Sequence, residues 1–84
     1  MVNFVNVYRD GKEVRVKMSE VTAEDAASFE ALWGADKFHR VNDAIKAKYR
    51  KSTLDAMSPQ WLIKELLWES RVYDKAMRLK RAYV

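Results

Sequence analysis

The chain has 84 residues, of which 49% are hydrophobic, and it contains no cysteine. This length predicts that residues 1–84 form a single domain with a small core, and the apolar content excludes a disordered chain. The lack of cysteine excludes a disulfide scaffold, a thiolate zinc site and a cysteine nucleophile.

No apolar run reaches the roughly 18–20 residues that a membrane-spanning helix needs. The first ten residues also lack the basic and apolar segments that are typical of a signal peptide. We therefore expect a cytoplasmic protein that has no membrane partner.

The net charge of +4 is unevenly distributed along the chain. Residues 1–34 carry four Lys or Arg and six Asp or Glu, whereas residues 35–84 carry twelve Lys or Arg and six Asp or Glu. The basic second part can attract phosphate groups or an acidic protein surface, or it can be an ordinary solvated helix exterior.

Residues 3–18 are predicted to form a β-hairpin. Asp10 and Gly11 favour a two-residue type I′ turn, which needs positive φ at both positions, and this turn pairs Arg9 with Lys12. Counting outward from the turn puts four valines on one face, Val5, Val7, Val14 and Val16. Because an isolated hairpin is marginally stable in water, we expect this face to pack on helices or the hairpin edge to pair with another chain.

Three helices are predicted after the hairpin. Residues 22–33 form the first, with Thr22 as its N-cap and Gly34 as its C-terminal stop. Residues 37–51 form the second, and residues 52–58 connect it to the third, either as an irregular segment or with one helical turn.

The third predicted helix, residues 59–82, is about 36 Å long, which is more than so small a domain needs. Ser58 is a suitable N-cap, and Pro59 suits the first helical position. One apolar stripe on this helix consists of Trp61, Trp68, Val72, Leu79 and Tyr83. A second stripe beside it consists of Leu62, Leu66, Tyr73 and Met77, and Ile63 and Leu67 widen the apolar arc. A basic strip on the opposite side consists of Lys64, Arg71, Lys75 and Arg78.

These elements predict an α+β fold in which an N-terminal antiparallel β-hairpin packs on three helices in the order ββααα. The long helix comes last. The expected core consists of Val5, Val7, Val14, Val16, Phe29, Leu32, Phe38, Val41, Ile45, Leu62, Leu66, Tyr73 and Met77.

Side chains suited to catalysis or metal binding are few. His39 is the only histidine, and no thiol is available to complete a mixed site with it. Glu65 and Glu69 lie one turn apart, but the Glu-x-x-His element of carboxylate metal sites in bundles is missing, which favours ion pairs with Lys or Arg. We expect no enzyme activity, no cofactor, no metal and no small-molecule substrate.

Nucleic-acid binding is an alternative function for the basic side chains. The connector at residues 52–58 is longer than the turn of a helix-turn-helix motif. The third helix also begins with mainly apolar residues, whereas a recognition helix offers polar side chains that hydrogen-bond to base edges. Non-specific contact with phosphates therefore stays open, as does contact with an acidic surface. The residues placed for it are Lys46, Arg50, Lys64, Arg71, Lys75 and Arg78.

The excess apolar surface of the third helix favours protein interaction. The hairpin and two short helices can cover one side of this helix but not both, so a second copy of the chain or a foreign protein would bury the rest. Burial of both stripes within the domain is the alternative. We expect an interaction or assembly module whose partner-binding residues are Trp61, Trp68, Val72, Leu79 and Tyr83.

The Asp10-Gly11-Lys12 turn and the following segment Phe29–Gly34 resemble those of compact proteins encoded by bacteriophages. Over about the first half of the chain, the arrangement is similar to that of the phage inhibitors of uracil-DNA glycosylase, which also join a hairpin to a helix. The resemblance implies a phage-like accessory protein, structural or directed at a host factor, in the host cytoplasm or the virion. The inhibitors use an acidic surface whereas this chain is basic, so no functional residue is carried over.

Overall fold

A computed structural model describes residues 3–82. The chain begins with β1 (Phe4–Arg9) and β2 (Lys12–Lys17), which are followed by one turn of 3-10 helix at Met18–Glu20. Five α-helices complete it, α1 (Ala23–Ala27), α2 (Phe29–Trp33), α3 (Ala35–Lys48), α4 (Lys51–Ala56) and α5 (Pro59–Ala82). The predicted α+β fold, with its antiparallel hairpin and long C-terminal helix, is confirmed.

The hairpin has the predicted turn and register. Asp10 and Gly11 both have positive φ, at 52° and 80°, as a type I′ turn requires. Arg9 lies opposite Lys12. The valines pair across the two strands as expected, Val7 with Val14 and Val5 with Val16.

The valine face of the hairpin packs on the helices. Val5 and Val7 are buried, and Val14 and Val16 are partly buried against the same core. β1 contacts both α1 and α2. The tertiary packing therefore supplies the stability that a two-stranded hairpin lacks on its own.

The predicted first helix, residues 22–33, is divided at Ser28 into α1 and α2. Its N-terminus is correct, because Thr22 forms a reciprocal capping box with Asp25. The Ser28 hydroxyl donates to the Asp25 carbonyl (2.6 Å) and accepts from the Tyr8 backbone N–H (3.1 Å). Ser28 thus joins the helix to the edge of β1, a long-range contact that helical periodicity does not encode.

The second helix is shifted from its predicted bounds of 37–51. It begins directly after Gly34, whose φ of 90° favours glycine, and it ends at Lys48. Tyr49 is extended, its ring packs against the core, and its hydroxyl donates to Glu65 (2.7 Å). The connector between the second and third helices contains the short α4, a helical turn that the sequence had left open. Together with the division at Ser28, this gives five α-helices in residues 3–82 where three were predicted.

α5 packs against α3 and α1 and completes the core. Most of the predicted core residues are buried or pack against the buried cluster, but Met77 is only half-buried and lies outside it. Three buried hydrophobic residues were not among those predicted, Val21, Ala26 and Ile63. Ile63 belongs to the wide apolar arc of α5, in which periodicity alone does not identify the side that faces inward.

α5 extends beyond this core. Its 24 residues correspond to a rod of about 36 Å, and the longest dimension of the described chain is 42 Å. No residue of α5 after Ser70 is buried, which explains why Met77 is only half-buried. Within residues 3–82, no helix combines the length and the apolar character that crossing a membrane requires.

Candidate functional site

α5 presents a row of large apolar side chains on the face that is turned away from the core. Their exposed fractions are 55% for Trp61, 58% for Trp68, 48% for Val72 and 52% for Leu79. Spacings of seven, four and seven residues place these four on one helix face, which we call the apolar stripe. The fifth predicted member, Tyr83, lies outside the described residues.

The apolar stripe lies opposite the part of α5 that the domain uses for its own core. Ile63 and Leu66 are 0% and 1% exposed, and helical geometry puts both on the far side from Trp68. The alternative that the domain buries both stripes is therefore wrong. The surplus of apolar surface that the sequence predicted is present.

The basic strip, Lys64, Arg71, Lys75 and Arg78, borders the apolar stripe. Lys64 precedes Trp68 by four residues and Arg71 follows it by three, so both are its neighbours on the helix surface. The predicted position of the strip, opposite the whole apolar arc, is wrong for the exposed half of that arc. Among residues 3–82, the four basic side chains form no ion pair.

An ion-pair cluster flanks the other side of the apolar stripe. The Lys48 ammonium lies 3.0 Å from Glu65 and 3.3 Å from Glu69, and so ties α3 to α5. The hydrogen bond from Tyr49, assisted by Lys48 and opposed by burial, holds the pKa of Glu65 below its usual value. The interpretation of these two glutamates as ion-pair partners is confirmed, and the pairing lies within one chain.

The basic residues predicted on the second helix do not join the basic strip. Lys46 is two residues from Lys48, which corresponds to a rotation of about 200° around α3. Since Lys48 reaches α5, Lys46 lies on the side of α3 that faces away from α5. Arg50 lies outside α3, which ends at Lys48, although the second helix was predicted to reach residue 51.

A groove of about 900 Å³ lies between the open end of the hairpin and α5. Four of its lining residues are apolar, Phe4, Met18, Leu67 and Trp68. Three are cationic, Lys17, Lys64 and Arg71, and no Asp or Glu of the described chain lines it. Trp68 and two members of the basic strip thus belong to the groove as well as to the exposed face of α5.

A second depression, of about 500 Å³, lies beside Trp61 at the other end of the apolar stripe. Its remaining lining residues come from α4 and the turn after it, Ser52, Thr53, Ala56, Met57 and Ser58. Both tryptophans of the apolar stripe therefore lie next to a concavity, which is where side chains of a partner can be buried.

Comparison of the chain with models of known protein families, with curated proteins and with solved structures finds no match. The resemblance to phage-encoded proteins stays a prediction.

His39, the only histidine, lies on the surface of α3. Its side chain is 63% exposed, and its Nε2 atom lies 3.0 Å from the carboxylate of Glu30. No cluster of three or more metal-ligating side chains occurs among residues 3–82.

The groove was not predicted from the sequence. The hairpin register already puts Phe4 on the face opposite the valines, which is a signal of its exposure. That the open end of the hairpin lies beside α5 is a tertiary relation between residues about 50 positions apart, and no local pattern reports it.

Proposed function

We propose that this protein is a non-catalytic interaction or assembly module that binds another protein through the aromatic and apolar face of α5. The observation that carries the proposal is the apolar stripe itself, four large side chains that are each about half exposed on one helix face. Large apolar side chains that are exposed together on one face are typical of interaction sites.

The chemistry of the apolar stripe supports a protein partner. Tryptophan is enriched among residues that dominate binding energy, and full burial of one large apolar side chain contributes about 1.5–3 kcal/mol. Trp61 and Trp68 are two such anchors, each beside a concavity. The partner is a second copy of the chain or a foreign protein.

The resemblance of the hairpin and its following segment to phage-encoded proteins supports a more specific role. Under this proposal the protein is a phage accessory protein, either a structural component or an inhibitor of a host factor. It would act in the host cytoplasm or the virion.

Replacing Val72 and Leu79 together with glutamate is expected to weaken partner binding by at least about tenfold, because two apolar contacts become charged ones that must be desolvated. Sedimentation velocity measures self-association, and affinity capture from a bacterial lysate with mass spectrometry measures binding of a foreign protein. Both side chains are exposed, so the circular dichroism spectrum should not change.

The matched control is the Ala31→Glu and Ala47→Glu double variant, which adds the same charge at exposed helical positions away from α5. It should bind as the unaltered chain does. A strictly monomeric protein that captures no defined partner would contradict the proposal, and so would a partner that both double variants retain equally.

A second candidate function is nucleic-acid binding by the basic strip. It is favoured by the four basic side chains of α5 that form no ion pair among residues 3–82. Contact with about four phosphates predicts an affinity that falls about a hundredfold between roughly 50 and 200 mM salt. A gel-shift titration measures this, and the lack of any shift at low salt would dismiss it.

A further inference from the structure

The charged side chains that line the groove between the hairpin and α5 are all positive. Lys17, Lys64 and Arg71 line it, and no carboxylate of the described chain does. None of these three side chains forms an ion pair within residues 3–82. The groove therefore offers three cationic groups whose natural complement is an anion from outside the chain.

The walls of the groove are apolar. Phe4 and Trp68 are exposed, and Met18 and Leu67 are half-buried at the edge of the core. A volume of about 900 Å³ falls in the range of natural ligand sites. A matching ligand must therefore combine apolar groups with negative charge.

A peptide fits this combination better than a single-stranded nucleic acid does. Nucleic acids bind such grooves by stacking successive bases on aromatic rings. The guanidinium of Arg15 already lies over the Phe4 ring, 4.9 Å from its centre. Trp68 is the other aromatic residue that lines the groove, so successive bases would not find a row of free rings on which to stack. Beyond Trp68 the apolar stripe continues with aliphatic side chains, Val72 and Leu79, which suit a protein surface.

We propose that this groove binds an acidic, hydrophobic peptide segment of the partner protein. Carboxylates of the segment pair with Lys17, Lys64 and Arg71, of which Arg71 can hold a carboxylate through two parallel hydrogen bonds. An apolar side chain of the segment packs between the hairpin and Trp68. This inference rests on the proposed function, since it names the chemistry of the partner that the apolar stripe would bind.

Selection from a library of short random peptides displayed on phage tests the inference. With the full-length protein immobilised, we expect enriched peptides in which Asp or Glu flanks Leu, Ile or Phe. Labelled copies of these peptides should bind at least about tenfold more weakly to the Lys64→Glu and Arg71→Glu double variant. In NMR titrations the amides of residues 17–19 and 67–71 should shift.

The matched control is the Lys75→Glu and Arg78→Glu double variant. It makes the same charge change on the same helix, in the basic strip but outside the groove. It should retain peptide affinity to within a few fold. Equal losses in the two double variants would overturn the inference, because the effect would then be one of overall charge.

Three other outcomes would also overturn it. These are no enrichment, enrichment of peptides without acidic residues, and tighter binding of a single-stranded oligothymidine that displaces the peptides from the groove. The two proposals are separable. If the Val72 and Leu79 glutamate variant loses its protein partner while the Lys64 and Arg71 variant retains it, only the groove inference falls.

Discussion

Replacing Leu66 with alanine is expected to lower the free energy of unfolding by about 3–4 kcal/mol. Leu66 is 1% exposed and belongs to the core cluster that joins the hairpin to α3 and α5. Truncating this side chain leaves a cavity. A domain this small has few neighbouring side chains that could move to fill it. A chain of this length has a total stability of about 4–13 kcal/mol, so this loss is a large fraction of the total.

Leu79 provides a matched control, because it is the same residue type on the same helix but is 52% exposed. Leu79→Ala should change the free energy of unfolding by no more than about 0.5 kcal/mol. Urea denaturation followed by circular dichroism measures both. Equal costs at the two positions would mean that α5 is turned differently about its axis, and the proposed interaction surface would then lose its basis.

Replacing Asp25 with alanine is expected to cost about 2–3 kcal/mol, since it removes charge-assisted hydrogen bonds and one half of a capping box. Asp25 is 3% exposed. Its carboxylate accepts from the Arg9 guanidinium, with Nε at 2.8 Å, and from the Thr22 backbone N–H at 2.9 Å. This one side chain links the turn end of β1 to the start of α1. Breaking a fully buried ion pair typically costs about 3–5 kcal/mol of stability. We expect a smaller cost here, because the Arg9 side chain is 41% exposed and can be hydrated once Asp25 is removed.

The contribution of Asp25 should also depend on pH. The hydrogen bond from Arg9, opposed by burial and assisted by Thr22, holds the pKa of Asp25 below its ordinary value of 3.8. The unfolded chain therefore takes up this proton more readily than the folded protein. The stabilisation is fully present above that ordinary value and is lost as the pH falls through the lower pKa of the folded state.

Urea midpoints of the unaltered chain and of Asp25→Asn, measured from neutral pH down to about pH 2, isolate this effect because other carboxylates titrate in both proteins. The difference in urea midpoint between the unaltered chain and Asp25→Asn should be largest near neutral pH and should become smaller in acid. A gap that stays constant down to the lowest pH would show that the Arg9 pair contributes little to folding.

The parts of the fold that the sequence predicted well are those that local chemistry determines. The Asp10-Gly11 turn sets the hairpin register, and Ser58 begins α5 by accepting the Trp61 N–H, at 3.2 Å. The exposure of the apolar stripe followed from counting how much of a long apolar helix a short chain can cover. The turn and the cap are encoded by neighbouring residues, whereas the exposure of the apolar stripe follows from the length of the helix relative to the rest of the chain.

The features that sequence reasoning missed join segments that are far apart in the chain. The Arg9–Asp25 pair, the Ser28 bond to the hairpin and the groove all depend on which elements become neighbours after packing. Periodicity shows which residues share a face but not what that face meets. The position of the basic strip relative to the apolar stripe was wrong for the same reason. The polar and apolar sides of α5 were assigned before it was known which side faces the core.

Photo-crosslinking from the exposed face of α5 shows whether that face binds a protein. Trp68 would be replaced with benzoylphenylalanine in cells that make the protein, with the same replacement at His39, an exposed position on α3, as the control. We predict one dominant adduct from position 68, with a second copy of the chain or with a single identified protein, and none from position 39. No adduct at position 68, or the same scattered adducts from both positions, would contradict the account.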